Sequence, residues 1–272
     1  MVRTVLCAID TSALAPRVLR HAVGLASAMQ SRLVVLHAGD LAAIDLERQL
    51  TGIVPYGAPY LGDVTSRVEN GPAVDVILGV ADEIDAGLLI VGTRARAAVA
   101  RFLLGSTSAD LLQRTARPVL LVSPGDLDVL TLSHDRVMLH FGSVLAAVDL
   151  DESNVAQLAW ASHFAAVAKQ PLQLMTVARD PLSNHDAAAA LKARAHGLEP
   201  VAPRACIVRR GQVAEEIARC AIAEDAGLIV MGLRAQHRGS PGKVASDVLQ
   251  KHEALVLAVP AADDPRPENE PR

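Results

Sequence analysis

Aromatic side chains are almost absent from this sequence, which has three Phe, two Tyr and one Trp among its 272 residues. Proteins that bind single-stranded nucleic acid stack bases on aromatic rings, so this composition argues against such a surface. The formal net charge is -4 at pH 7, and the chain therefore also lacks the basic excess that binds a phosphate backbone. We expect no DNA or RNA partner.

Long apolar runs, a leader peptide and paired cysteines are missing as well. No apolar run reaches the roughly 20 residues of a membrane-spanning helix. The chain enters a strand pattern at residue 5 without the features of a signal peptide. Its cysteines, Cys7, Cys206 and Cys220, form no CxxC pair, which predicts small buried side chains in a reducing compartment. We expect a cytoplasmic protein with no membrane partner.

Motifs of common hydrolases and metalloproteins are absent too. The nine histidines include no HxxxH or HExxH pair, so no zinc site is predicted. No Gly-x-Ser-x-Gly elbow supports an esterase-type triad. Gly242-Lys243 does not complete a Walker A motif, because the upstream glycine spacing fails and Val244 stands where Ser or Thr is needed. No catalytic or metal-binding residue is therefore predicted.

What the sequence does have is an alternation of short apolar runs and helical patterns. Apolar residues make up 51% of the chain, which is enough for large cores. Leu14, Val18 and Ala22 recur at helical spacing after the first apolar run. The first half is predicted to hold helices at 73–85 and 108–114, and strands at 5–10, 33–38, 64–69, 87–92 and 118–122. This alternation predicts an α/β fold with a parallel sheet.

The second half of the chain repeats the first. Gly71 and Gly211 lie 140 residues apart, and so do Gly92 and Gly232. Corresponding apolar runs stand at 144–149, 172–177, 206–211, 224–232 and 255–259. An offset of 139–140 residues across the first four strands, with a corresponding fifth strand, indicates a duplicated domain. We divide the chain into a first domain at 1–124, a linker at 125–141, a second domain at 142–261 and a charged, proline-rich tail at 262–272 that we expect to be disordered.

A stretch rich in glycine and hydroxyl groups follows the fourth predicted strand. Gly105, Ser106 and Thr107 stand at the start of the next predicted helix. The N–H groups and the positive dipole end of a helix N-terminus favour an anion, most often phosphate, and hydroxyls donate to phosphate oxygens. The alternative is an ordinary strand-to-helix turn capped by a serine. The residues of this stretch leave both interpretations open.

Several motifs together identify a family resemblance that covers nearly the whole chain. The first strand ends in Asp10, the second ends in Leu-His-Ala at 36–38, and Gly71-Pro72 precedes the next helix. Gly92, Ala95 and Gly105-Ser106 keep the spacing of the family's glycine loop, with Ala in place of its middle glycine. The sequence resembles a tandem universal stress protein. The resemblance implies two Rossmann-like sheets of the adenine nucleotide alpha hydrolase type, each parallel with strand order 3-2-1-4-5, that pair through their last strands as an internal pseudo-dimer.

The resemblance also implies a ligand and the residues that hold it. In nucleotide-binding members ATP lies across the carboxyl ends of the strands. Carried onto this chain, Asp10 would face the ribose and the backbone of Ala38 would meet the adenine. The phosphates of ATP, with or without Mg, would be held by Gly92, Gly105, Ser106 and Thr107.

The loop between these glycines carries the main open questions. Arg94, Arg96 and Arg101 lie near it in sequence, either to pair with phosphate or as solvated side chains. Ala95 would be strained if its position needs a positive φ. If the family's glycine serves only close approach, the methyl group of Ala95 would either be tolerated or block the phosphates.

The second copy departs further from the family pattern. Gly242-Lys243-Val244 stand where the first copy has Gly105-Ser106-Thr107, and the loop before them is three residues shorter. The hydroxyl groups are gone, although Lys243 could still meet a phosphate as a point charge. We therefore expect the first copy to bind ATP and the second to be degenerate.

Taken together, these features predict a regulatory protein that binds ATP and acts in a stress response. Two alternatives stay open. The chain is an interaction scaffold without nucleotide if Ala95 blocks the site, or a slow ATP hydrolase if the first copy turns its ligand over. We expect a binding protein rather than an enzyme, because no base or metal-binding carboxylate beyond Asp10 is predicted near the phosphates. The resemblance also implies a possible homodimer.

Overall fold

The protein is described here by a computed structural model that covers residues 2–39, 63–93, 105–125, 129–132, 137–233, 243–252 and 254–261. The loop residues Arg94, Ala95, Arg96, Arg101 and Gly242 lie outside this range. So do residues 40–62 and the tail at 262–272. What the sequence predicts for these residues stays a prediction.

The first half alternates strands and helices as predicted. Its described elements are β1 (Thr4–Ile9), α1 (Ala15–Ala28), β2 (Arg32–Ala38), β3 (Val64–Glu69), α2 (Ala73–Glu83), β4 (Leu88–Gly92), α3 (Ser106–Arg114) and β5 (Val119–Val122). The central strands are buried on both faces because helices cover both sides of a parallel sheet, which is why they are continuous apolar runs in the sequence. Pro16 fits the first turn of α1, where no intrahelical N–H is needed.

The second half follows the same order after a short hairpin. Its described elements are β6 (Leu130–Leu132), β7 (Val137–Leu139), β8 (Ser143–Ala147), α4 (Val155–Ala168), β9 (Leu172–Val177), α5 (Asn184–Ala195), β10 (Ala205–Arg209), α6 (Val213–Ala223), β11 (Ala226–Leu233), α7 (Lys243–Leu249) and β12 (Leu255–Pro260). In this half the connection between β9 and β10 contains α5.

Ten strands form one sheet in the order β10-β9-β8-β11-β12-β5-β4-β1-β2-β3. Within each half the strands are parallel in the order 3-2-1-4-5, so the predicted fold class is confirmed. The halves meet where β5 and β12 pair antiparallel, with Leu120 opposite Leu257. These two leucines hold equivalent positions in the two copies, so the pairing has the local two-fold symmetry of an isologous contact.

The duplication extends to unusual backbone conformations. Gln30 and Lys169 both have a positive φ, 53° and 54°, at the end of the first helix of each half. Asp85 and Asp225 repeat this with 48° and 51°. Non-glycine residues seldom adopt this left-handed region. Its recurrence at equivalent positions indicates that the two halves share the same backbone conformation.

The segment between the halves, predicted as a linker, holds the β6–β7 hairpin. Leu130, Leu139 and Phe141 are buried in the core that also contains α1. Arg20 on α1 donates from Nη2 to the carbonyl oxygen of Leu130 at 2.8 Å. A side chain at Gly24 would collide with Leu130, so the glycine permits the hairpin to lie directly on α1. The domain limits themselves stay a prediction.

The two faces of the sheet carry separate cores. One face is covered by α1, α4 and the hairpin, with Leu19, Phe141 and Phe164 fully buried. The other is covered by α2, α3, α6 and α7 and contains, for example, Leu111 and Val248. None of the described helices has both the length and the apolar composition needed to span a bilayer.

Candidate functional site

In the first half, a cleft opens at the carboxyl ends of the strands. In the sheet β1 and β4 are neighbours, but the chain after β1 continues to one face and the chain after β4 continues to the other. Open α/β sheets bind their ligands at such a point. The free space between the walls of this cleft, which includes solvent at the open mouth, is about 830 Å³. Six of the eight predicted site residues line it: Asp10, Ala38, Gly92, Gly105, Ser106 and Thr107. The other two, Arg94 and Ala95, lie outside the described residues.

Asp10 follows β1 and shapes the turn into α1. The backbone N–H of Ser12 donates to Asp10 Oδ1 at 3.0 Å, which closes the local turn that Asp favours at such places. The hydroxyl of Ser12 in turn accepts from the N–H of Leu14 at 3.3 Å. Asp10 and Ser12 both line the cleft, so this turn brings a carboxylate and a hydroxyl to its edge.

The start of α3 forms the opposite wall. Gly105 is the N-cap residue, in an extended conformation with φ -60° and ψ 154°, and makes no side-chain cap. The serine-capped turn considered above is therefore not what is built, because the helix begins at Ser106, two residues earlier than predicted. Ser106 and Thr107 are exposed in the first helical turn, where the N–H groups of a helix lack intrahelical acceptors. No acidic residue stands in that turn, so an anion meets no competing carboxylate there.

Ser108 fixes this helix end to the sheet. Its Oγ donates to the carbonyl oxygen of Gly92 at 3.0 Å, and the side chain is 4% exposed. Thr93 lies beside it, with its backbone N–H donating to the carbonyl oxygen of Val122 at 2.8 Å. The sequence pattern did not single out Ser108 or Thr93, because both act through contacts with residues distant in the chain.

Gly92 has a second role that sequence reasoning missed. A Cβ at this position would lie 3.0 Å from Val18 Cγ2 and 3.1 Å from Leu14 Cδ2. These distances are tighter than ordinary carbon contacts, so glycine here lets α1 pack closely on the end of β4. The resemblance assigns Gly92 to phosphate binding; in the structure it also borders α1, and its carbonyl oxygen accepts from Ser108 on α3.

At the end of β2, a buried histidine positions the strand end that carries Ala38. The Nδ1 atom of His37 lies 3.0 Å from the carbonyl oxygen of Ile9, and since a carbonyl only accepts, Nδ1 carries the proton in this contact. The next residues complete the edge: Gly39 adopts φ +140° and its N–H donates to the carbonyl oxygen of Glu69 at 2.9 Å. These bonds join the ends of β1, β2 and β3 below the cleft.

The second half has a cleft at the equivalent place, with about 990 Å³ of free space. Asp149 corresponds to Asp10 and forms the same turn, accepting from the N–H of Asp151 at 3.2 Å. Here, however, Arg179 reaches across: its Nη2 lies 3.4 Å from Asp149 Oδ2 and its Nη1 lies 3.6 Å from Asp151 Oδ2. The carboxylate that corresponds to the predicted ribose contact is thus paired with an arginine.

The helix wall of the second cleft has lost its hydroxyl groups. Val244 and Ala245 line it where the first cleft has Thr107 and Ser108. The helix that carries them, α7, has seven described residues against nine for α3. This wall offers no side-chain donor at the places of Thr107 and Ser108, in line with the predicted loss of the phosphate site, which itself stays a prediction.

Among the described residues, no group of three His, Cys, Asp or Glu side chains could hold a metal ion. All three cysteines are free. Burial raises the pKa of the Cys7 thiol strongly and also raises that of Cys220, so both remain protonated at neutral pH. A protonated buried thiol is a poor nucleophile, and these two residues serve packing.

Known proteins share this sequence pattern and fold. Residues 1–123 match the Universal stress protein family. Universal stress protein YxiE of Bacillus subtilis (strain 168) is 28% identical over 148 residues, covering 45% of this chain and 99% of that protein. A universal stress protein from Pseudomonas aeruginosa UCBPP-PA14 superposes with a TM-score of 0.71 at 21% identity, over 96% of this chain and 94% of its own. One from Archaeoglobus fulgidus DSM 4304 does so with 0.71 at 19% identity, over 95% and 98%. The two solved structures extend the shared fold to both halves.

Proposed function

We propose that this chain, whose residues 1–123 match the Universal stress protein family, is a tandem universal stress protein whose first half binds ATP in the cleft described above. In this proposal the chain is a stress-response binding protein. The observation that carries it is the meeting of residues from four separate places in the sequence. Asp10, Ala38, Gly92 and the start of α3 all line one cleft.

The chemistry of the cleft suits a nucleotide with its phosphates toward α3. The N–H groups and positive dipole end of a nine-residue helix favour an anion. The exposed hydroxyls of Ser106 and Thr107 add donors beside them. Asp10 at the other side supplies an acceptor of the kind that ribose hydroxyls need, and Ile77 and Val91 give an apolar lining between.

Mg would enter such a site with the nucleotide. Mg²⁺ commonly binds through substrate phosphates and keeps several waters. Asp10 is the one carboxylate among the described residues that line the cleft, and one of its oxygens already accepts from Ser12. The same scarcity of acid and base groups favours binding over rapid hydrolysis, so we expect retained ATP and at most slow turnover.

Calorimetric titration of the full chain with Mg-ATP tests the proposal. In Thr107→Glu the new carboxylate stands in the first turn of α3, where it suits the helix dipole but repels phosphate. We expect the ATP affinity to fall by about tenfold or more. Gln113→Glu is the matched control: it adds the same charge to an exposed site in the last turn of α3 and should leave ATP affinity within about twofold.

Two further outcomes decide between the alternatives. If calorimetry detects no heat of binding and denaturation releases no nucleotide, the chain is an interaction scaffold that does not bind ATP. ATP turnover that persists through repeated purification and is lost in Thr107→Glu would make the chain a hydrolase. If Thr107→Glu binds ATP as tightly as the natural chain, the phosphates do not lie at α3.

The remaining parts of the proposal concern assembly and location. The antiparallel β5–β12 pairing supports an internal pseudo-dimer, and the resemblance supports a further homodimer, which sedimentation of the intact chain would test. Three free cysteines support a reducing compartment such as the cytoplasm.

A further inference from the structure

The cleft of the second half differs from that of the first by an exchange of polarity between its two walls. The wall next to α7 is apolar and consists of Met231, Leu233, Val244 and Ala245; we call it the apolar wall. At the equivalent places of Leu233, Val244 and Ala245 the first cleft has Thr93, Thr107 and Ser108. Three hydroxyl-bearing positions have therefore become aliphatic. The wall that would face the phosphates in the proposed nucleotide site therefore consists of hydrocarbon side chains in the second cleft.

The wall next to α4 has changed in the opposite direction. Ser153 and Gln157 line the second cleft at the places of Leu14 and Val18 in the first. Asn154 lines it as well, and its amide Nδ2 donates to the carbonyl oxygen of Asp149 at 3.1 Å. The polar groups of the second cleft thus gather on the side that is aliphatic in the first. A ligand would have to turn its polar end toward α4 and its apolar end toward α7.

Gln157 is the group that most directly points to a ligand. Its Nε2 donates to the carbonyl oxygens of Ala147 and Val230 at 2.8 and 3.0 Å, which fixes the orientation of the amide. Its Oε1 faces Gly232 at the floor of the cleft, 3.2 Å from where a Cβ would stand. Within the described part of the chain this buried oxygen has no hydrogen-bond partner, and the residue is 3% exposed. A buried acceptor without a donor is unfavourable, and an N–H or O–H group seated beside Gly232 would satisfy it.

An anion finds little support in this cleft. Arg179 is the one arginine or lysine among the described residues that line it, and it already contacts Asp149 and Asp151. Glu152 adds another carboxylate at the same end. This arginine is therefore already paired, and the described side chains at the helix wall, where the phosphates would lie in the first cleft, are aliphatic.

We propose that the second cleft binds a phosphate-free small molecule with an apolar body and an N–H or O–H donor at its polar end. The apolar wall would cover the body, and Met231 suits this role because an unbranched thioether adapts to different shapes. The donor would lie on the α4 side beside Gln157. This site is separate from the proposed ATP site and does not depend on it.

Two dyes with the same ring system test this proposal on the full chain. N-phenyl-1-naphthylamine has an apolar body and one N–H donor, and 1-anilinonaphthalene-8-sulfonate adds an anionic group to it. We expect the uncharged dye to bind at one class of site and the sulfonate to bind about tenfold more weakly. The one tryptophan of the chain, Trp160, lies about one turn after Gln157 on α4, so its emission should be quenched by the bound uncharged dye.

Variants in the apolar wall locate the dye. Leu233→Thr with Val244→Thr introduces the hydroxyl type of the first cleft, and we expect about tenfold weaker binding of the uncharged dye. If the double variant is unstable in thermal melting, Val244→Thr alone is close in shape and should give a smaller loss in the same direction. Gln157→Val introduces the residue type that the first cleft has at this place. It should weaken binding of the uncharged dye about threefold, because the acceptor is lost. Ile222→Ser is the control for nonspecific adsorption, since Ile222 is 65% exposed and is not among the residues that line the cleft, and dye affinity should not change.

Three results would overturn the proposal. The dye site would be elsewhere if the wall variants bind the uncharged dye as tightly as the natural chain. The cleft would accept anions if the sulfonate binds equally well. It would be a nucleotide site if Mg-ATP displaces the dye in competition with it. Failure of ATP to bind at all would contradict the proposed function of the first half and would leave the dye result unaffected.

Discussion

Two neighbouring hydroxyl groups at the start of α3 are expected to have different roles, one in folding and one in ligand binding. Ser108 is 4% exposed and its Oγ donates to the carbonyl oxygen of Gly92 at 3.0 Å. Thr107 is exposed and lines the cleft. Ser108→Ala should therefore lower the free energy of unfolding, whereas Thr107→Val should lower the affinity for ATP.

The size of each effect follows from the contacts. A neutral hydrogen bond contributes about 1 kcal/mol net, and alanine fits sterically because Ala245 occupies the equivalent position in α7. We expect Ser108→Ala to lower the free energy of unfolding by about 1 kcal/mol. Thr107→Val keeps the side-chain shape at an exposed site, so its effect on stability should stay within about 0.5 kcal/mol. A hydrogen bond to a charged phosphate is worth about 1.5 kcal/mol or more, which corresponds to about tenfold or more in Kd.

Urea unfolding followed by far-ultraviolet circular dichroism measures the first quantity, and calorimetry with Mg-ATP measures the second. Ala245→Ser is a matched variant, because it adds a hydroxyl at the equivalent place of the second half and should not change ATP affinity. The reasoning is refuted if Ser108→Ala leaves the urea midpoint unchanged while Thr107→Val lowers it. An equal loss of ATP affinity in the Ala245→Ser variant would contradict the location of the site in the first half.

Two other predictions concern the contact between the halves and a buried histidine. Leu120 and Leu257 face each other across the two-fold contact and are at most 1% exposed. Leu120→Ala and Leu257→Ala should therefore each lower the free energy of unfolding, measured in urea, by about 2–5 kcal/mol. Because the side chains are neighbours, the cost of the double variant should differ from the sum of the two single costs, and additive costs would mean that the two sites do not interact. Burial lowers the pKa of His163, which packs against Trp160 and Phe164. Its neutral form is therefore favoured in the folded state, so its contribution to stability is complete above a pH of about 6.5 and is lost as the pH falls through the lowered pKa. His163→Leu should flatten the fall in melting temperature between pH 7 and pH 5, and an unchanged slope would show that other groups cause it.

The fold was predictable because its determinants are local or repeat along the chain. Buried parallel strands are continuous apolar runs, and β4 at Leu88–Gly92 lies within the run predicted at 87–92. Element ends were less certain. The helix α2 ends at Glu83 rather than at residue 85, because Asp85 adopts a positive φ of 48° that continues no helix. The hairpin in the predicted linker was missed, since short strands such as Leu130–Leu132 leave no periodic signal.

The candidate site was predictable as a set of positions but not as a set of contacts. The family resemblance implied that Gly92 and Gly105 belong to one site, and both line the cleft. It gave no indication that Gly92 packs against Leu14 and Val18, or that Ser108 joins α3 to β4. These contacts depend on how helices pack across the sheet, and no short sequence motif records that packing. The ion pair of Arg179 was hidden for the same reason.

The second cleft has polar side chains that the first cleft lacks, and these argue against a site that has only lost its function. A decayed site is expected to lose polar groups without gaining others. Here the α4 side has gained Gln157, whose amide makes two hydrogen bonds to strand carbonyls, and Asn154, whose Oδ1 accepts from Arg194 Nε at 2.9 Å. Arg194 also donates from Nη2 to the carbonyl oxygen of Leu150 at 2.6 Å, so α5 secures the turn that borders the cleft. Building such contacts requires matched residues on three elements. Since the two halves share one backbone arrangement, the difference that we propose between their ligands rests on these side chains.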